Sequence, residues 1–409
     1  MRTSKTYLVG GAVRDRLLGL QASERDWVVV GSTPDEMLDR GFKQVGASFP
    51  VFLHPENGEE YALARTEKKQ GHGYHGFNVD FHPGVTLEED LQRRDLTINA
   101  IAEDENGGLI DPFGGRQDLQ HKILRHVSEA FVEDPLRVLR VARFAARFAH
   151  MGFRVHTSTL QLMGEITQSG ELQHLAAERI WREFEGAMKT ARPSEFVSVL
   201  RECGALEALL PEVNILFGVP QPEKYHPEID TGIHLLMALD AAADASNGAA
   251  NVVFAVLLHD LGKGVTAEKY WPSHRGHEAT GIPLVDAVCS RMKVPNAIHD
   301  LARKVCARHL DCHRILEARP VTVLRLLERL DAFRQTDLLA DFVAACEADY
   351  RGRKGLQDRP YPQGDYLLKA YRLAAGIRAR DLDLQGLSGP QVGKRLAQAR
   401  TEAIAALGA

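Results

Sequence analysis

The sequence predicts an α/β N-terminal part followed by an all-α remainder, and three observations carry that reading. Strand-like runs mixed with short helices are confined to residues 1 to about 135. From about residue 150 onward, apolar residues recur at three- and four-residue spacing with charges opposite them. Proline and glycine cluster from Gly218 to Pro227 and from Gly352 to Gly364, where boundaries are expected. The 409 residues suggest roughly two or three domains with ample buried core, and no repeat of fixed period is present.

Taken in order, the first element is the run Tyr7 to Gly31. It reads as a strand (YLVGG), a Gly10-Gly11 turn, a short helix, and a second strand carrying Glu24 and Asp26. Strand side chains alternate faces, so these two carboxylates point the same way. If the second strand lies beside the first, they sit close to the glycine turn and the helix start, where backbone N–H groups attract phosphate. Carboxylates for metal beside amides for phosphate suggest nucleotide chemistry. Each half has a plainer reading, a tight βα turn and a solvated strand end. Further strands are expected at Pro50 to Leu53 and in EEYALART. The segment Gly71-His72-Gly73-Tyr74-His75-Gly76 has no helical periodicity and reads as a mobile loop rather than a metal tract.

In EEDLQRRDLTINAIA, Arg93 and Arg94 precede Asp95, and Asn99 follows one turn later if the segment is helical. Arginine forks suit triphosphate oxygens, and a paired Asp and Asn can bond a ribose hydroxyl; the competing reading is a helix start capped by Asp95. Asp134-Pro135 is a helix start with Asp at the N-cap and Pro next. On that helix Arg137, Arg140, Arg143 and Arg147 fall within an arc of about 120° without an interleaved acid. Such a stripe repels itself unless something anionic lies against it, which favours a polyphosphate or RNA backbone over a solvated face.

The helical half contains a second constellation. Asp230 to His234 opens one helix, His259-Asp260 ends a strongly apolar one, and His274, His277, His309 and Asp349 follow. Nitrogen and oxygen donors of this kind suit divalent transition metals, and such a site could activate water against a phosphoester. A lone histidine is more often a core residue with its hydrogen bonds satisfied; several in one helical segment are harder to dismiss.

Composition bounds the rest. Hydrophobic residues at 44% and charged residues at 26% match an ordinary soluble protein. A formal net charge of −5 excludes a chain that is basic throughout, so nucleic acid would have to meet a local patch. Five cysteines without a CxxC pair read as buried thiols of a reducing compartment. The apolar run Val252 to Leu258 is far short of the ~18 residues a spanning helix needs, and the N-terminus has no apolar signal core. A cytoplasmic protein is expected.

LVGGAVRD with its downstream ExD, RRDLTINA and EDPLRVLRVARF resemble the head of the class II tRNA nucleotidyltransferases, the CCA-adding enzymes of the polymerase β-like superfamily. The histidine-aspartate segment is similar to an HD-domain phosphohydrolase module, and in order and length the resemblance covers essentially the whole chain. It implies a nucleotidyltransferase head with a small mixed sheet over 1–135, and a helical neck and body for base selection and RNA binding over 136–225. An all-α HD domain over 226–350 and a helical tail over 351–409 would follow. Residue by residue, it implies Gly11 and Arg14 on the triphosphate and Glu24 with Asp26 on magnesium, the family more often having Asp where this sequence has Glu24. Arg94, Arg140 and Arg143 would contact nucleotide, Asp95 and Asn99 the ribose, and Asp134 with Arg137 would select the base. His234, His259, Asp260 and Asp349 would hold a metal, nickel or another divalent transition ion, with His277 and His309 beside them.

The resemblance further implies tRNA, CTP and ATP as partners, neither DNA nor membrane, and a monomer or homodimer. The activities implied are template-independent addition of CCA to tRNA 3′ ends with release of pyrophosphate, and phosphatase, 2′-nucleotidase and 2′,3′-cyclic phosphodiesterase action. A poly(A) polymerase shares the head motifs, but a basic tail would then be expected, and residues 365–409 are mixed in charge. A non-polymerising regulatory protein that binds nucleotide and metal is the other alternative.

Overall fold

A computed structural model describes residues 4–21, 25–45, 51–69 and 77–407. Glu24 and the segment Gly71 to Gly76 lie outside the described residues. The chain forms two compact units, one comprising Met1–Glu183 with Val199–Leu209, the other Phe184–Ser198 with Leu210–Ala409.

The first unit begins with β1 (Lys5–Val9), α1 (Gly11–Leu17), β2 (Asp26–Val30), α2 (Pro34–Asp39), β3 (Lys43–Val45), β4 (Val51–Leu53) and β5 (Glu60–Leu63). Next come β6 (Thr66–Lys69), β7 (Phe77–Asp80), α3 (Leu87–Gln92), β8 (Ala102–Glu103), β9 (Leu109–Ile110), α4 (Gly115–His121) and β10 (Ile123–Leu124). The unit continues with α5 (Leu136–Phe148), β11 (Arg154–Val155) and α6 (Thr157–Gln168). Seven strands form one sheet in the order β3-β4-β5-β2-β1-β8-β9. β2 and β5 run parallel and the other pairs antiparallel, so the sheet is mixed. EEYALART divides: its second half leaves this sheet, and β6 pairs with β7.

The VVV run of β2 is apolar because both faces of the sheet are covered. Val28 packs with Val9, Leu91 and Ala102 on one side, while its neighbour Val29 packs with Met37, Phe42 and Phe52 on the other. A capping box holds α2 in place, with the Thr33 hydroxyl accepting the Glu36 N–H and Glu36 Oε2 accepting the Thr33 N–H, each at 3.2 Å.

The second unit is helical. The chain passes between the units within α7 (Ala177–Met188) and α8 (Pro193–Glu202) and again after α9 (Ala205–Leu209), which belongs to the first unit, before α10 (Pro211–Asn214). The unit's core is α11 (Thr231–Ser246), α12 (Ala250–Leu258), α13 (Leu261–Gly264), α14 (His277–Arg291), α15 (Asn296–His313), α16 (Pro320–Arg329) and α17 (Thr336–Arg351). α18 (Pro362–Gly376) and α19 (Gly389–Ala405) end the chain. Eight of the nine residues of α12 are buried, so it is surrounded by α11, α15 and α17 rather than lying on the surface. Among the described residues, no helix is long and apolar enough to cross a membrane.

Candidate active sites

In the first unit the register of β1 on β2 pairs Val9 with Asp26, so the carboxylate enters beside the Gly10-Gly11 turn, as the sequence suggests. Gly10 has φ +72°, which glycine adopts without strain, and a Cβ there would lie 2.9 Å from Arg94 Nη1. A cleft of ≈ 610 Å³ opens at this point. Gly11, Arg14, Asp26, Arg94, Asp95, Asn99, Asp134, Arg137, Arg140 and Arg143 all line it, although they come from segments more than a hundred residues apart.

Asp95 is the best anchored of the acids. Its Oδ1 accepts from Asn99 Nδ2 at 2.9 Å and from the Leu96 N–H at 2.8 Å, and its Oδ2 accepts from Arg140 Nε at 2.8 Å. Burial pushes this carboxyl's pKa up, but the Arg140 charge and the Asn99 bond overcome it and hold the group well below the usual carboxylate range. The pairing of Asp95 with Asn99 is made without the α-helix considered for this segment: Leu96 bridges to His126 and Thr97–Asn99 is a 3₁₀ turn. Asp95 is therefore not a helix cap. Arg14 is buried, with its guanidinium 5.1 Å from the Phe144 and Phe148 ring centres and Nη1 donating to Asn99 Oδ1. Burial lowers its pKa despite the neighbouring Asp15.

The arginine stripe on α5 requires a correction. No external anion is needed to relieve its repulsion, because other elements supply partners: Arg140 meets Asp95 at 2.7 Å, Arg143 meets Glu183 at 2.5 Å and Arg147 meets Asp15 at 2.9 Å. Arg137 donates to the Ala130 and Arg93 carbonyls. The helix begins at Leu136, one residue later than Asp134-Pro135 suggests, and Asp134 still accepts the Leu136 N–H at 3.1 Å through Oδ1. Its other oxygen faces Arg179 at 3.2 Å. Even so, the cleft lining carries nine arginines against four acids, a local basic patch in a chain whose net charge is −5. Sequence reasoning missed Glu60, which also lines the cleft and is Asp26's direct partner across the parallel β2–β5 pair. Directly paired strand residues share a face, so two oxygen donors stand together, a set that suits magnesium.

In the second unit His234, His259, Asp260, His277, His309 and Asp349 are buried, drawn from α11, the end of α12, α14, α15 and α17. They form two triads, His234-His259-Asp349 and Asp260-His277-His309, in each of which the donor atoms lie within 4.8 Å of one another. His259 Nδ1 donates to the Val256 carbonyl at 2.7 Å, which leaves Nε2 as a lone pair. That nitrogen is buried without a hydrogen-bond donor and lies 3.1 Å from Asp260 Oδ2. A bare lone pair beside a carboxylate calls for a cation, so these residues fit a metal ion. His274 is not part of the cluster; its Nε2 bonds the Pro220 carbonyl at 2.8 Å.

Several supporting groups escaped the sequence. Glu228 Oε1 lies 3.1 Å from His234 Nδ1 and 3.0 Å from His226 Nδ1. Asp349 also accepts from His313 at 2.6 Å and Arg353 at 3.2 Å, and those charges keep its carboxyl far below the usual range. Lys263 Nζ sits 2.6 Å from Asp260 Oδ2.

Residues 6–125 match the family model described as the poly A polymerase head domain, and 152–216 the one described as a probable RNA and SrmB-binding site of polymerase A. The "Multifunctional CCA protein" of Thioalkalivibrio sulfidiphilus is 59% identical over 400 residues, covering 98% of both chains. The chain belongs to the multifunctional CCA protein family. The member from Vibrio campbellii is 54% identical over 98% of both chains. A Thermotoga maritima CCA-adding enzyme complexed with tRNA shares the fold at TM-score 0.60 and 21% identity, covering 99% of this chain and 92% of its own. A CCA-adding enzyme complexed with ATP does so at TM-score 0.61 and 20% identity, over 98% and 87%. The CCA-family head and the mainly helical remainder thus agree with the fold class expected from the sequence.

Proposed function

We propose that this CCA-family chain adds C, C and A to tRNA 3′ ends from CTP and ATP without a nucleic-acid template. The observation that carries this is the convergence in one cleft of Asp26, the glycine turn, the Asp95/Asn99 pair and the nine arginines. The tRNA 3′-hydroxyl oxygen attacks the α-phosphorus, and the bond to the β-phosphate bridge breaks in line, releasing pyrophosphate. Asp26, with Glu24 and the neighbouring Glu60, would hold magnesium, which lowers the hydroxyl's pKa and offsets charge on the leaving group. Gly11 and Arg14 would meet the triphosphate with Arg94, Arg140 and Arg143, while Asp95 and Asn99 would meet the ribose.

Base choice falls to Asp134 and Arg137. Cytosine and adenine both present an amino donor beside a ring-nitrogen acceptor, and a carboxylate with a guanidinium matches that edge while opposing uracil and guanine. Asp134 gives one oxygen to Leu136 and faces Arg179 with the other, but a carboxylate has about four lone-pair sites. Arg137's bonds to the Ala130 and Arg93 carbonyls fix the plane of its guanidinium.

The second unit would be a metal-dependent phosphohydrolase of the HD type, with phosphatase, 2′-nucleotidase and 2′,3′-cyclic phosphodiesterase action. His234, His259, Asp260 and Asp349 would hold nickel or another divalent transition ion, which polarises a phosphoryl oxygen and makes its bound water a nucleophile. Functionally the chain would then divide into a head (1–135), a neck and body (136–225), an HD segment (226–350) and a tail (351–409), working in the cytoplasm. Two substitutions test the assignment of chemistry to sites. Asp26→Ala should lower nucleotide addition by at least about a thousandfold and leave 2′,3′-cyclic hydrolysis in place, and His259→Ala should do the reverse. Loss of both activities in either variant, or of neither, would refute it.

A further inference from the structure

Glu88, Glu89 and Asp90 are three acids in a row on α3, and the fold does not use them alike. Glu88 and Glu89 are exposed, and Glu89 closes a capping box, its Oε2 accepting the Thr86 N–H at 2.8 Å. Asp90 is fully buried. It is not among the residues that line the cleft of the first unit, yet Arg65, Arg93 and Arg94, which bond to it, all are. Its Oδ1 accepts from Arg93 Nε at 3.1 Å, from Arg93 Nη2 at 2.7 Å and from the Arg65 N–H at 3.3 Å. Its Oδ2 accepts from Arg94 Nη2 at 3.3 Å. A carboxylate taken out of water is costly unless it is paired, and one guanidinium is enough to pair it. Two guanidinium groups share this one, so the trio carries a surplus positive charge at the cleft. Burial pushes the Asp90 pKa up, but the Arg93 and Arg94 charges outweigh that and hold the group ionised, below the usual carboxylate range. Arg94 is seated from a second side as well, since its Nη1 donates to the Asn99 carbonyl at 3.4 Å and lies 2.9 Å from where a Cβ on Gly10 would be. Its Nε is buried and has no acceptor among the described residues. An oriented guanidinium with an unused donor and surplus charge is matched by the oxygens of a polyphosphate.

We propose that Asp90 is a positioning residue for nucleotide addition: from behind the cleft it fixes Arg93 and Arg94 so that their shared surplus charge meets the β- and γ-phosphates of the incoming nucleotide. The inference rests on the reading of the cleft as the nucleotide-addition site and deepens it. Asp90 touches no substrate and acts only through the two arginines. A long side chain held in place beforehand loses less freedom when it meets its ligand, so the carboxylate raises affinity although its own charge opposes the phosphates. The effect is confined to ligands that carry the pyrophosphate group, because base and ribose meet other residues of the cleft.

The test is Asp90→Asn in the full chain, assayed by addition of C from CTP to tRNA lacking its 3′ end, with pyrophosphate and CMP as inhibitors. KM for CTP and the inhibition constant of pyrophosphate should rise together by roughly tenfold, while the inhibition constant of CMP and KM for tRNA stay at their wild-type values. A loosened fold would weaken CMP and pyrophosphate alike, and that result overturns the positioning role. A pyrophosphate constant that is unchanged or lower also overturns it, and means that Asp90 only offsets the arginines' charge. Circular dichroism shows whether the variant is folded; if it is not, Arg93→Lys decides. That change keeps the positive charge at the cleft but cannot make both bonds to Asp90 Oδ1, so the same selective weakening of pyrophosphate is expected, and a wild-type constant overturns the inference. Failure of the wild type to incorporate CTP overturns the reading of the cleft and this inference with it, whereas a wild type that incorporates CTP beside an unaltered variant overturns the role of Asp90 alone.

Discussion

In the proposed reading Asp134 shares the base choice with Arg137, and a single functional group there can be changed to test it. Asp134→Asn keeps the shape and the Leu136 cap but turns half of the acceptor into a donor, so it should favour the carbonyl edge of uracil. Losing a hydrogen bond to a charged partner costs about 1–3 kcal/mol, so CTP incorporation should fall by roughly ten- to a hundredfold against UTP. Single-nucleotide extension of tRNA lacking its last residues reads the ratio, and an unchanged C-to-U preference would contradict the assignment. Asp95 makes a pH-dependent contribution. Its folded pKa lies below the unfolded one, so its stabilisation is present above about pH 3.8 and is lost as pH falls through the folded value. Asp95→Asn should therefore destabilise the first unit near neutrality, by about 2 kcal/mol because Arg140 is partly exposed, with the difference from wild type shrinking below about pH 4. Denaturant melts across pH check this; a constant gap would refute it. What the sequence hid at this scale were partners. A helical wheel places four arginines on one arc, but Asp15 and Glu183 reach Arg147 and Arg143 from 132 and 40 residues away, which no local pattern encodes. Glu60 was hidden in the same way, since only the register of β5 on β2 sets it beside Asp26.

At the scale of elements, strong periodicity was legible and short pieces were not. The strands of YLVGG and DWVVVG and the buried helix before His259 follow directly from their apolar runs. β8 and β9 have two residues each, too few for alternation to register, and the 3₁₀ turn at Thr97–Asn99 is set by its tertiary bridge rather than by propensity. His226 and Glu228 lie in a proline-flanked loop, where no helical spacing points to His234. The junction of α13 with α14 supplies a test. A Cβ on Gly262 would lie 1.9 Å from the His277 carbonyl and 2.7 Å from Thr280 Oγ1, so Gly262→Ala must push apart the helices that carry Asp260 and His277. A loss of about 3 kcal/mol in the second unit is expected, together with weaker metal retention. Thermal unfolding at wild-type temperature would show that the contact is not as tight as described.

At the scale of the whole molecule, an acidic chain concentrates nine arginines at one cleft and buries histidines and acids at a second centre in its other unit. The motifs were enough to name the nucleotidyltransferase family from the sequence, because they depend on residue types at fixed spacing. The two-unit division was not legible, since two of the chain's three crossings between units fall inside helices whose periodicity does not change there. The central claim is that the cleft selects and joins nucleotides without a template, and one measurement tests it most directly. A tRNA lacking its 3′ end is incubated with CTP, with ATP and with both, and the products are resolved nucleotide by nucleotide. The account predicts two additions with CTP alone, and C, C and A with a full stop when both are present. An indefinite run of A, or no incorporation at all, would contradict it.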